Sequence, residues 1–168
     1  MTRPRLVPID RPPAGRHDEV NVSETEPPSQ RVGGQDDIEL RLGADLVHLP
    51  LIRSVAASIA MRADFDLDTI ADLRLAVDEA CSTLITRALP ATIMVCRFTI
   101  KQDELRFTGA VSSADQHTPS TGSFGWRVLT TLADSAASWV ESDGDGTDGA
   151  PAHWVHVELA KRRPVIQG

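Results

Sequence analysis

No stretch of this chain approaches the roughly 18 to 20 consecutive apolar residues that span a bilayer as a helix, so the sequence predicts no membrane segment. It has no basic stripe either. The formal net charge is −7 and the one basic cluster, Lys161-Arg162-Arg163, reads as a solubilising tail, which argues against nucleic acid as the main partner. The first residues, MTRPRLVPIDRPPAGRHDEV, carry charge and proline where a signal peptide has an apolar core, so the expected location is cytoplasmic. Only two cysteines are present, Cys81 and Cys96. In a reducing compartment they are expected as buried structural thiols, one on a helix and one on a strand. A redox switch would need an activating neighbour that the sequence does not supply.

What is present is enough chain for one core. A length of 168 residues supports a single domain and not two comfortable ones. Residues 1–35 are rich in proline (Pro4, Pro8, Pro12, Pro13, Pro27, Pro28), acid, arginine and serine, and poor in apolar side chains. Such a segment cannot bury enough surface to offset its ordering entropy, so a disordered N-terminal extension is expected there. The folded domain is expected over 36–163, with 164–168 as a short tail.

The domain opens on Ile38, Leu40 and Leu42, which alternate as a half-buried strand does. A helix follows with Leu49, Ile52, Val55, Ala56 and Ile59 on one face and Pro50 in its first turn. A second, longer helix is capped by Asp66 or Asp68, carries the stripe Ile70, Leu73, Val77, Ala80, Leu84, Ala88, and stops at Pro90. Two strands joined at Gln102-Asp103 come next, ending at Val111, then a polar loop from Ser112 to Thr121. A helix from Ser123 turns Phe124, Val128, Leu129 and Leu132 inward. Two more strands, SAASWVES and HWVHVELA, close the domain around the turn Asp143 to Gly149. Helices on one face of a mixed, mostly antiparallel sheet bury this pattern, so the fold class is an α+β two-layer sandwich.

Chemistry is concentrated in LAVDEACSTLITRAL, Leu75 to Leu89, where Asp78 and Glu79 stand side by side. On a helical wheel Glu79 groups with Asp72, Ala76 and Thr83, away from the apolar stripe. By pattern alone Glu79 is a solvated helix residue, and Asp78 has Arg74 four residues back as an ion-pair partner. His153 and His156 fall on opposite faces of one strand and should not share a metal. Trp126, Trp139 and Trp154 read as core or rim, because basic residues do not interleave with them. The acid-glycine run at Asp143 lacks the spacing and terminal glutamate of a calcium loop.

The order of elements, the long-helix segment LRLAVDEACSTLITRAL, GSFGWRVLTTLAD, and the final HWVHVELAKRR strand together resemble the anti-sigma-factor serine kinases of the RsbW and SpoIIAB type. These belong to the Bergerat-fold (GHKL) ATPase superfamily. The likeness runs from Ile38 to about Arg163 and is strongest to actinobacterial RsbW proteins that pair with a sigma-F-like, stress-response factor. It implies ATP and magnesium as cofactors, a homodimer, and two competing protein partners: an alternative sigma factor and an anti-anti-sigma protein of the STAS type.

Position by position, the resemblance assigns Glu79 the role of catalytic base and puts Thr83 where the family has a magnesium-ligating asparagine. The family's histidine one turn on is Arg87. Its adenine-holding Asp-x-Gly-x-Gly turn falls at Ser112 and Ser113, with Asp115 as a substitute only if the alignment slips. Of its later glycine motif, Gly122 and Gly125 remain, ahead of a helix whose N-terminus suits a phosphate. Arg53, on the first helix, is the candidate partner contact. Three nucleotide contacts are weakened together while the framework is intact. The expectation is an anti-sigma factor acting by binding, with a weak or lost ATP site; the alternative is an active kinase of the anti-anti-sigma protein. Deleting residues 1–35 should leave the melting temperature nearly unchanged in calorimetry, since the segment supplies no core; a loss of several degrees would show that it docks.

Overall fold

The structure, a computed structural model, describes residues 35–142 and 153–165. The chain runs β1 (Gln35–Gly43), a 3-10 turn (Leu46–His48), α1 (Leu49–Arg62), α2 (Leu67–Ile85), β2 (Ile93–Lys101), β3 (Glu104–Ser113), α3 (Phe124–Leu132), β4 (Ser135–Ser142) and β5 (His153–Arg162). The strands form one sheet in the order β1-β2-β3-β5-β4. The α+β sandwich read from the sequence is the observed architecture, with one refinement: every ladder described is antiparallel, so the sheet is not mixed.

Alternation explains which face the helices cover. Met94, Cys96, Phe98, Leu105, Phe107, Val111, Val155, Val157 and Leu159 all point to that face and are fully buried. Phe98 and Phe107 are cross-strand neighbours with ring centroids 5.1 Å apart, a tilted pair of the kind that adds to plain burial. Cys81 and Cys96 join this core with no exposure, and the Cys96 thiol together with burial pushes the Cys81 thiol well above its usual range. The Cys81 sulfur is not poised as a thiolate.

α2 is the central helix. Asp66 is its N-cap, accepting from the Thr69 amide at 2.8 Å and the Thr69 hydroxyl at 2.9 Å, which holds its carboxyl below the usual range. The helix ends at Ile85 rather than at Pro90. The residues between peel away because the Leu89 amide donates to Ser112 O on β3 at 2.8 Å, and the residue before a proline disfavours helical geometry. β3 likewise runs two residues past Val111, which turns Ser112 and Ser113 from loop into strand.

Three further expectations are corrected. Phe124 is 80% exposed, because at the first helical position its side chain leans toward the helix N-terminus and no earlier turn lies beneath it. Lys161-Arg162-Arg163 is no loose tail: β5 runs through Arg162, Lys161 Nζ donates to Leu132 O at 2.8 Å, the Arg162 amide donates to Asp134 at 2.7 Å and the Arg163 amide to Asp103 O at 2.7 Å. Asp78 pairs with Arg53 of α1 and not with Arg74. The N-terminal extension up to residue 34 and the turn at Asp143 to Gly149 lie outside the described residues.

One glycine governs how closely α2 approaches the sheet. A Cβ on Gly109 of β3 would stand 2.6 Å from Leu84 Cδ1 and 3.3 Å from the Phe107 ring, so the helix sits where a side chain would otherwise be. Gly109→Ala should destabilise the domain by about 1 to 3 kcal/mol, as overpacking a filled core does, read as a lower urea midpoint with unchanged slope.

Candidate functional site

Successive residues on an α-helix are about 100° apart, so Asp78 and Glu79 cannot face the same neighbour. Asp78 turns toward α1, where Arg53 Nε lies 3.5 Å from its Oδ1. That oxygen is buried and receives no hydrogen bond, so the contact is electrostatic. Arg53 shares this seam, where the reduced dielectric strengthens the attraction, and Arg74 stands out in solvent. Arg53, the candidate partner contact, is therefore partly committed within the chain, with its side chain 37% exposed.

Glu79 turns toward α3. A Cβ on Gly125 would overlap Glu79 Oε1 and stand 3.1 Å from its Cδ, so the carboxyl fills the notch that only glycine leaves. Ser123 caps α3 by accepting from the Trp126 amide at 3.1 Å, and Gly125 is in the first turn, at the positive end of the helix dipole. The face grouped on the wheel as solvated is in fact the α2–α3 seam: Ala76 is buried, and Asp72, Glu79 and Thr83 are half-buried. Asp72 is held there by Lys161 at 3.3 Å. Among the described residues Glu79 makes no hydrogen bond.

Beyond Glu79 the same seam continues through Thr83 to the end of α2. Thr83 is half-buried, and its carbonyl accepts from the Thr86 hydroxyl at 2.9 Å. Arg87 reaches into the loop after β3, donating to Asp115 Oδ2 at 2.9 Å and to His117 O at 3.2 Å. Asp115 also accepts from the His117 amide at 2.9 Å and faces the His117 ring at 3.0 Å. These hydrogen bonds from His117, with the Arg87 charge, hold the Asp115 carboxyl below its usual range. Asp115, the candidate substitute named from the sequence, is thus tied to Arg87.

Ser112 and Ser113 close the floor. Ser112 gives its carbonyl to Leu89, and Ser113, 1% exposed, accepts from the Asp115 amide at 3.1 Å. Gly122 is exposed with open space where a Cβ would go, its nearest neighbour being the Ser120 hydroxyl at 3.7 Å, so it is not held there by lack of room. The sequence reading set His153 on the opposite strand face from His156 but gave it no place at the site. It is 9% exposed, stands opposite Ser113 in the β3–β5 ladder, and its buried Nδ1 has no hydrogen-bond partner among the described residues. Alternation with Val155 and Val157 already placed it on the helix-covered face. The fold therefore gathers Glu79, Thr83, Arg87, Ser113 and Gly125 at one end of the sandwich, and leaves Arg53 on a different seam.

Residues 42–148 match the family described as the histidine kinase-like ATPase domain. Over 113 residues the chain is 36% identical to the anti-sigma-F factor RsbW of Mycobacterium tuberculosis, in strain CDC 1551 / Oshkosh and equally in strain H37Rv, and the alignment covers 67% of this chain and 67% of each relative. A crystal structure of the RsbU and RsbW domains of a Mycobacterium tuberculosis protein aligns with 77% of this chain and 33% of its own, at a TM-score of 0.52 and 15% identity, which bears on the fold alone. The fold is that of the histidine kinase-like ATPases, and within that class the chain belongs to the RsbW family of anti-sigma factors.

Gly125→Ala should lower stability by no more than about 1 kcal/mol, because the new methyl displaces the Glu79 carboxyl, the free end of a flexible half-buried side chain. In Glu79→Ala the same change should cost less than a third as much. Chemical denaturation of the four proteins in this double-mutant cycle reads the coupling. Equal costs in both backgrounds would mean that the two side chains do not compete for one space.

Proposed function

We propose that this chain is an anti-sigma factor that sequesters an alternative, sigma-F-like sigma factor, is released by a STAS-type anti-anti-sigma protein, acts in the cytoplasm as a homodimer, and has little or no kinase activity. The observation that carries this reading is a cleft occupied by the chain's own side chains. Glu79 lies in the notch at the first turn of α3, where its negative charge opposes a phosphate, and Arg87 and Asp115 are spent on each other. Ser113 offers a hydroxyl where the family uses a carboxylate. Thr83 offers a single, short-reaching oxygen where the resemblance has a magnesium-ligating amide. These residues fit a magnesium nucleotide poorly, so no phosphate-transfer step is derived through one.

Binding does not need that chemistry. A partner that holds only one conformation sequesters by mass action, and a competitor for the same surface releases it in proportion to concentration and affinity. The relatives named as anti-sigma-F factors support this over a stand-alone nucleotide sensor. The second reading, an active serine kinase of the anti-anti-sigma protein, is favoured by one feature: Glu79 and Thr83 still lie one helical turn apart on the same half-buried seam.

Phosphate transfer to a purified STAS partner separates the two. Under the first reading the wild-type chain transfers almost nothing, Glu79→Gln is silent, and Thr83→Asn alone restores nothing, because the Ser112-Ser113 floor still lacks a carboxylate. Under the second, Glu79→Gln abolishes transfer by about 10² to 10⁴-fold, the usual range for a general base, with sigma affinity unchanged. Co-purification with the cognate sigma factor is expected under both, and its failure would remove the anti-sigma reading itself.

A further inference from the structure

The seam between α1 and α2 holds an ion pair that the cleft does not use. Arg53 Nε and Asp78 Oδ1 face one another there at 3.5 Å. That oxygen is buried and accepts no hydrogen bond among the described residues, although buried polar atoms are nearly always hydrogen-bonded. The pair thus has Coulomb attraction without the short, aligned donors that make a strong one. Arg53 is the more open member, its side chain 37% exposed against 26% for Asp78. Nε is the nitrogen nearest Asp78, and neither Nη group has a hydrogen-bond partner among the described residues. A guanidinium in that state keeps the end-on edge that binds a carboxylate with two parallel bonds. One turn before each member, on the same helix faces, stand Pro50 of α1 and Leu75 of α2, both exposed, Leu75 by 56%. An arginine beside exposed apolar side chains is a common composition for the centre of a protein interface.

Asp78 acts on an anion bound at Arg53 in two opposed ways. By restraining the guanidinium it lowers the side-chain freedom lost on binding. Without a hydrogen bond that restraint is slack, and it favours binding by at most about threefold. Its negative charge works the other way. An incoming carboxylate on the Nη edge stands roughly 7 Å from the Asp78 carboxylate, and at an effective dielectric of about 20 to 40 that repulsion weakens binding about five- to fiftyfold. Repulsion wins.

We infer that Asp78 is an internal competitor for Arg53: its carboxylate half-neutralises the guanidinium from inside the seam and so holds down the affinity for an acidic side chain of the protein partner. This rests on the anti-sigma reading above, with Arg53 as the partner contact. Asp78 is not needed for the fold in return. A pair this exposed stabilises little, and a buried oxygen without a donor costs stability, so the residue weakens the complex without strengthening the domain. A complex held below its attainable affinity stays open to exchange, because a competitor displaces a bound partner according to the ratio of their affinities.

Calorimetric titration of the full chain with the sigma factor that co-purifies with it tests this, with urea denaturation of each variant alongside. Asp78→Asn keeps the shape and removes the charge. It should bind about five- to fiftyfold tighter than wild type, with a urea midpoint unchanged or higher. Arg53→Ala should bind at least about tenfold more weakly, and in that background Asp78→Asn should change nothing. Arg53→Gln takes its place if that variant unfolds. Arg53→Lys, which keeps the charge and loses the fork, should also bind more weakly than wild type. Asp78→Asn binding equal to or weaker than wild type overturns the proposal: a midpoint that falls with it marks Asp78 as structural, and an unchanged midpoint marks it as aiming Arg53. A gain that persists without Arg53 overturns it too, since the effect is then one of overall charge. Wild-type binding indifferent to the loss of Arg53 keeps the anti-sigma reading and removes this inference, whereas a wild-type chain that binds no sigma factor removes the reading itself.

Discussion

The seating of α2 on the sheet is the constraint from which the rest follows. Leu84 descends into the space left by Gly109, and with the helix at that depth each of its other sides meets a different element. Ile70, Leu73, Val77 and Ala80 close the core, Asp78 meets Arg53 on α1, and Glu79 meets Gly125 on α3. Two glycines, one on a strand and one in a helix, thereby hold a single helix against three neighbours. The residue types are dictated by volume. At both places a methyl group would overlap an atom already there.

That geometry also decides what each member of the adjacent acid pair faces. An isolated amphipathic helix would leave Glu79 in water, free to serve as a base. In the folded chain it lies half-buried over the first turn of α3, beside a positive helix end. Arg87 and Asp115 neutralise one another at the far end of the same seam. Glu79, by contrast, makes no hydrogen bond among the described residues and is held by shape alone against Gly125.

The two faces of the sheet divide the labour. Among the described residues the covered face is apolar until it ends at Ser113 and His153, two polar side chains buried at the cleft end. The open face is half ion-paired and half aromatic, and the boundary follows the strand registers rather than the chain order. Trp139 and Trp154, distant from Val95 and Ala110 in sequence, come together with them only because β5 inserts between β3 and β4.

Much of this was legible in the residues. Alternation in Ile38 to Leu42 and in His153 to Leu159, the helical stripe of α2 and the cap at Asp66 are local signals, and each element they imply is present. They are legible because an element's period and its caps depend on residues within a few positions. The end of α2 at Ile85, the extension of β3 through Ser113, the outward turn of Phe124 and the anchoring of Lys161 were not legible. Each depends on a hydrogen bond, or on a missing neighbour, supplied by a part of the chain remote in sequence. The sequence by itself determined the order and type of the elements and the family to which the chain belongs. Only the tertiary structure decided that Asp78 pairs with Arg53, that Glu79 fills the Gly125 notch, and that His153 lies beside Ser113, because partner choice depends on distances that close only when the helices are seated on the sheet.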